Sequence, residues 1–181
     1  MNVKLTKIEG LLTVNPEVFE DQRGYFYESY NEEKFIKSGI TNKFVQDNQS
    51  RSTYGVIRGL HMQNAPHAQA KLIRVLEGTI YDVVVDLRKE SSTFGKWYGI
   101  EISADNRLQL LVPQGCCHGF SVLSEHATVF YKCDEFYHPE SETGIRYDDP
   151  QLGIDWKIQP GKVSVSEKDA QLPHLHDLKT I

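Results

Sequence analysis

Short β-branched and aromatic runs, turn residues punctuating them at close intervals, and few helix signals predict an all-β fold for this chain. The expected architecture is a jelly-roll β-sandwich or barrel with a few short helices, built as a single domain over residues 1–181. Strands are expected at 43–46, 55–61, 71–76, 79–87, 97–103, 109–112, 118–122 and 128–134. Turns between them are marked by Glu77-Gly78, Ser91-Ser92, Ala104-Asp105-Asn106, Pro113-Gln-Gly115 and Ser124-Glu125. A helix is expected over 31–39, with Asn31 as cap, acids in the first turn and Gly39 as stop. A second, short turn follows the capping-box pattern of Ser166-Glu-Lys-Asp169.

Composition removes several function classes. The formal net charge is -5 and the isoelectric point about 5.8, so no basic field is offered to nucleic acid. An anionic ligand must therefore be held by locally placed Arg and Lys. No apolar run reaches the ~18 residues of a membrane helix, and no membrane partner is expected. The first residues, Met1-Asn-Val-Lys-Leu-Thr-Lys7, lack the apolar stretch of a signal peptide. The three cysteines, with Cys116 and Cys117 adjacent, form neither a disulfide framework nor a Cys-x-x-Cys pair, and a reducing cytoplasm is expected.

The chemistry is concentrated in Arg58-Gly-Leu-His61-Met-Gln-Asn-Ala-Pro-His-Ala-Gln-Ala-Lys71, read as strand, loop, strand. Strict alternation places Ile57, Gly59 and His61 on one face and Arg58 and Leu60 on the other. A lone strand histidine is most often satisfied by its surroundings, but here Lys71 and Arg58 lie close by. An imidazole titrates near pH ~6.5 and can take a proton at neutral pH, provided a carboxylate fixes its tautomer. Tyr131, in Val129-Phe-Tyr-Lys132, points opposite to its neighbours, either as a packed ring or as a general acid across a cavity. Tyr137 lies beyond that strand, where an exposed ring can stack on a base. Arg23 sits in a turn before an aromatic strand, either solvated or, with Arg58, clamping a diphosphate.

The segment Pro113-Gln-Gly-Cys-Cys-His118-Gly-Phe resembles the second motif of cupins, whose histidine ligates metal. The matching first motif, His-x-His followed by Glu, is missing, and Lys71 is the residue nearest that role. His174-Leu-His176 is the one His-x-His, in what reads as a C-terminal tail. No metal is expected, and convergence of His61, His67 and His118 in space is the remaining route to one.

Taken together these residues resemble the dTDP-4-dehydrorhamnose 3,5-epimerase family. The resemblance rests on Asp21-Gln-Arg23-Gly-Tyr-Phe, Phe44-Val-Gln46-Asp47-Asn48-Gln-Ser, and Gly55-Val-Ile-Arg58-Gly-Leu-His61-Met-Gln63. It continues through Lys71-Leu-Ile-Arg-Val-Leu-Glu-Gly78, Asp82-Val-Val-Val-Asp-Leu-Arg88, Ser92-Thr-Phe-Gly-Lys-Trp97 and the Pro113 to Phe120 segment. Tyr131-Lys-Cys133, Tyr137, Glu142 and Ser166-Glu-Lys168-Asp169 complete it, all in family order.

The resemblance implies a cupin-like jelly roll, a homodimer with strand exchange on the N-terminal side, and no cofactor or metal. It implies His61 as base, Asp169 as the carboxylate that orients it, Tyr131 as the acid on the opposite face, and Lys71 beside the C4 keto oxygen. Arg23, Glu28, Gln46, Asp47, Asn48, Arg58, His118, Glu142 and Lys168 match substrate-contacting positions, and Tyr137 matches a ring stacked on thymine. The implied reaction converts dTDP-4-dehydro-6-deoxy-D-glucose to dTDP-4-dehydro-L-rhamnose for surface polysaccharide, including lipopolysaccharide. The alternatives are a single C3- or C5-epimerase of a related 4-keto sugar nucleotide, a metal-dependent cupin oxygenase, and a silent sugar-nucleotide-binding module.

Overall fold

A computed structural model describes residues 1–178; the last three positions of the domain expected over 1–181 lie outside them. A six-stranded sheet has the order β1 (Asn2–Leu5), β2 (Leu12–Asn15), β10 (Gln109–Val112), β7 (Lys71–Glu77), β12 (His126–Cys133) and β5 (Gln46–Thr53). A five-stranded sheet has the order β13 (Glu142–Gly144), β6 (Ile57–Gln63), β11 (Cys116–Val122), β8 (Thr79–Asp86) and β9 (Trp97–Ser103). A separate hairpin joins β3 (Phe19–Asp21) to β4 (Gly24–Phe26). Neighbouring strands run antiparallel, and the whole is a jelly roll as expected.

The period of two sorts each strand between layers. From β8, Ile80 and Val84 join Ile73, Val75, Leu110, Phe120 and Val129 in the core between the sheets. Val83 and Val85 turn outward, where Leu60, Cys117, Ile145 and Trp156 cover them. On the other sheet's outer face, Leu72, Leu111 and Val14 pack against Phe35 of α1 (Glu32–Lys37). Asn31 caps that helix by accepting from Lys34 N, and Gly39 beyond it adopts φ 85°. The second helix, α2 (Glu167–Ala170), opens on Ser166, whose hydroxyl accepts from Asp169 N at 3.1 Å.

Three expectations are corrected. The strand expected at 43–46 begins instead at Gln46 and runs to Thr53, pairing with β12 along its whole length. Its inward residues Gln46, Asn48 and Ser50 line a polar cavity, so the strand carries no apolar alternation. The alternation of β6 breaks as well: His61 pairs with His118 but Arg58 pairs with Phe120, three residues against two. Gly59 makes this bulge, with φ 125° and a backbone so close that an added Cβ would lie 2.5 Å from Gly119 Cα. Arg58 and His61 consequently line the same cavity rather than opposite faces. Finally, the expected tail is packed: Leu175 N donates to Asp149 Oδ2 at 2.6 Å and its side chain joins the outer cluster.

Candidate active site

A cavity of about 490 Å³ opens between the two sheets, lined by Arg58, His61, Lys71, His118, Tyr131, Lys168 and Asp169 among others. An adjoining recess of about 340 Å³ shares His61, Lys71 and Tyr131 with it and adds Gln46, Asn48, Tyr137 and Glu142. Together they have two opposed walls. The five-stranded sheet presents His61 and His118, cross-strand partners on β6 and β11. The six-stranded sheet presents Lys71 from β7 and Tyr131 from β12, with Asn48 directly paired to Tyr131 on β5.

His61 is held by Asp169. Its Nε2 lies 2.9 Å from Asp169 Oδ1, while Oδ2 accepts the Gly59 N–H at 3.1 Å. The Ser166 cap takes the backbone N–H of Asp169, while the carboxylate of the same residue reaches the histidine. Capping and pairing coexist. Burial works to raise the Asp169 carboxyl, but the bonds from His61 and Gly59 outweigh it and hold it below the usual carboxylate range. With Nε2 donating to this carboxylate, Nδ1 carries the lone pair available to a substrate proton.

Across the cavity, Lys71 Nζ lies 5.9 Å from the Tyr131 ring centre. Burial lowers the Lys71 pKa, opposed by the nearby acidic groups of Glu142 and Asp82. Burial raises the Tyr131 pKa, so the phenol is protonated at neutral pH and has a proton to give. His118 Nε2 meets the fully buried Asp82 at 2.9 Å. Burial pushes the Asp82 carboxyl up, against the pull of His118 and Lys71.

The mouth is polar. Arg58 Nε donates to Ser52 Oγ at 2.9 Å, tying β6 to β5. Gln46 Oε1 accepts the Tyr137 N–H at 3.0 Å, and Tyr137 Oη donates to Glu142 Oε2 at 2.6 Å. Lys168 Nζ shares that carboxylate oxygen at 2.6 Å.

Three expected site residues are not brought to this cavity. Asp47 alternates away from Gln46 and Asn48 and pairs with Lys132 on the outer face at 2.9 Å. Arg23 stands at the turn of the β3–β4 hairpin, its side chain 90% exposed and paired with Asp21. Glu28 is bound to Lys34 and Asn31 beside α1, also outside the cavity. His61, His67 and His118 do not converge, because His67 turns out of the cavity and stacks on His138. Asp82 was missed as a partner of His118. The signal was an acid in phase with Ile80 and Val84, in an apolar ladder where an unpaired charge is costly.

Fold and cavity together define a class: a jelly-roll protein whose pocket is furnished for proton transfer between opposed walls. The model of the dTDP-4-dehydrorhamnose 3,5-epimerase family matches residues 5–177, and the chain belongs to that family. It is 48% identical over 179 residues to the dTDP-4-dehydrorhamnose 3,5-epimerase of Escherichia coli K12, covering 98% of this chain and 96% of that one. The crystal structure of the enzyme of that name from Elizabethkingia anophelis superposes with a TM-score of 0.95 at 52% identity, covering 99% of each chain. A dTDP-6-deoxy-D-glucose-3,5-epimerase from Legionella pneumophila, solved with dTDP-4-keto-L-rhamnose, is 47% identical with a TM-score of 0.93, covering 98% of this chain and 94% of that one.

Proposed function

We propose that the protein epimerises dTDP-4-dehydro-6-deoxy-D-glucose at C3 and C5 to give dTDP-4-dehydro-L-rhamnose, with no cofactor. The observation that carries this reading is the opposition of walls, His61 on one sheet, held by Asp169 of α2, and Lys71 with Tyr131 on the other. Carbons C3 and C5 both flank the C4 ketone, so one site can acidify both. His61 Nδ1 removes the proton and the C–H electron pair passes into the enolate. Lys71 faces the oxygen where that charge grows, the arrangement that contributes most to such a step. Tyr131 then delivers its proton to carbon from the opposite face, which inverts the centre. The imidazolium and phenolate left behind exchange protons with solvent before the second centre reacts. Asp169 keeps the imidazole oriented through the cycle.

Arg58 and Lys168 suit the diphosphate, and Tyr137, half exposed beside Glu142, suits the thymine ring. His118, Gln46 and Asn48 line the sugar end. Arg23 and Glu28 fit a homodimer in which the N-terminal strands are exchanged. The β3–β4 hairpin exposes Phe19, Tyr25 and Phe26 around Arg23, a surface suited to burial against a second copy and to lending Arg23 to its site. Three reduced, buried cysteines suit the cytoplasm, where the product would feed surface polysaccharide such as lipopolysaccharide.

Incubation with the 4-keto substrate in deuterated water, followed by NMR, tests the reaction. Deuterium is expected at both C3 and C5. Label at one carbon alone would indicate a single epimerase, and label at neither would refute the proposal.

A further inference from the structure

Beside the cavity, His67 in the β6–β7 loop and His138 in the β12–β13 loop stack face to face, ring centres 3.6 Å apart and planes 7° from parallel. Glu140 Oε1 lies 3.1 Å from His138 Nδ1. We propose that His67, His138 and Glu140 bind a divalent cation of Zn²⁺ type, which clamps the loop carrying Tyr137 to the β6–β7 loop. One ligand atom from each residue lies within 4.8 Å of the others. Tetrahedral Zn²⁺ with bonds of ~2.0–2.1 Å sets its ligands about 3.4 Å apart, and because an imidazole ligates in its ring plane, one of the two parallel rings must turn out of the stack to close the set. Two imidazoles, one carboxylate and an open position for water suit Zn²⁺, and by affinity order Cu²⁺ and Ni²⁺, rather than Mg²⁺ or Ca²⁺.

The backbone of the site is fixed before any ion arrives. The buried Gln63 amide donates to His67 O at 2.7 Å and Phe136 O at 3.1 Å, and accepts from His138 N at 2.8 Å. Asn64 N donates to Ser141 O at 2.8 Å, a second tie between the loops. Two histidines from distant segments are thus set side by side by hydrogen bonds that do not involve their rings. Tyr137, adjacent to His138, lines the recess next to the cavity, so an ion here would stiffen one rim of the site without touching reacting atoms.

The test uses metal-stripped full-length protein titrated with Zn²⁺ by calorimetry and with Co²⁺ by visible absorption. The native chain is expected to bind one ion per chain, to show the intense bands of tetrahedral Co²⁺, and to melt at higher temperature with Zn²⁺. His67→Ala and His138→Ala should each weaken binding by at least about tenfold, because even outer partners of metal ligands cost that much. Glu140→Gln should weaken it less. Both histidine variants, altered only in surface loops, should melt like the native protein without metal. A His126→Ala/His176→Ala variant, which removes other surface imidazoles, should bind as the native chain does. Undiminished one-to-one binding in a His67→Ala/His138→Ala protein would overturn the assignment, as would no binding by the native chain at Zn²⁺ up to millimolar.

Discussion

At the scale of single residues, the site joins groups that stabilise the fold to one that opposes it. Asp169 is satisfied twice over, by His61 and by the Gly59 N–H. Lys71 is the opposite case, an ammonium pressed into the barrel with burial depressing its pKa. At neutral pH the folded state carries the desolvation cost of that charge, a cost that fades as pH rises toward the ordinary lysine value of 10.5. Lys71→Met is therefore expected to raise stability by on the order of 1 kcal/mol near pH 7 and by less at alkaline pH, while abolishing turnover. Thermal melts across pH check this; a lower melting temperature at neutral pH would contradict it. His61, Lys71 and Tyr131 were legible in the sequence because each is a polar interruption of an apolar ladder. Asp82 carried the same signal, but its partner His118 lies thirty-six positions away, beyond the reach of local spacing.

At the scale of elements, the runs rich in Val, Ile and Leu were legible, and the strands facing the cavity were not. β5 is polar on both faces because one faces solvent and the other the ligand space. The β6 bulge also escaped a strict period of two, and only Gly59 marked its place. At the end of β8 the chain is knotted around Asp86, which accepts from Arg88 Nε at 2.9 Å, Ser91 Oγ at 2.6 Å and Thr93 Oγ1 at 2.6 Å. Burial pushes this carboxyl up, but those bonds prevail and hold it far below the usual range. A depressed carboxylate stabilises fully above its unfolded value near 3.8 and loses that contribution as pH falls through the folded value. Asp86→Asn is expected to cost about 2–4 kcal/mol in denaturant unfolding at pH 7, the gap to native narrowing as the medium becomes strongly acidic. A gap that stays constant down to pH 2 would contradict the ionic account.

At the scale of the whole molecule, one chain encloses the reacting groups but leaves Arg23 on an exposed hairpin. Its family position was legible from the Asp21 to Phe26 motif, whereas its distance from the cavity depends on tertiary placement that no local pattern encodes. If the hairpin serves a second copy, Arg23→Ala and His61→Ala chains, each inactive alone, should recover about a quarter of native activity when unfolded together and refolded. Half of the dimers would be mixed, each with one intact site; no recovery would place Arg23 outside the partner's site. The central claim is that base and acid occupy opposite walls, and proton exchange read carbon by carbon tests it most directly. With the 4-keto substrate in deuterated water, His61→Ala should show no label at C3 or C5, whereas Tyr131→Phe should retain part of the exchange at C3 but accumulate little inverted sugar. Label entering at the native rate in His61→Ala would contradict the account.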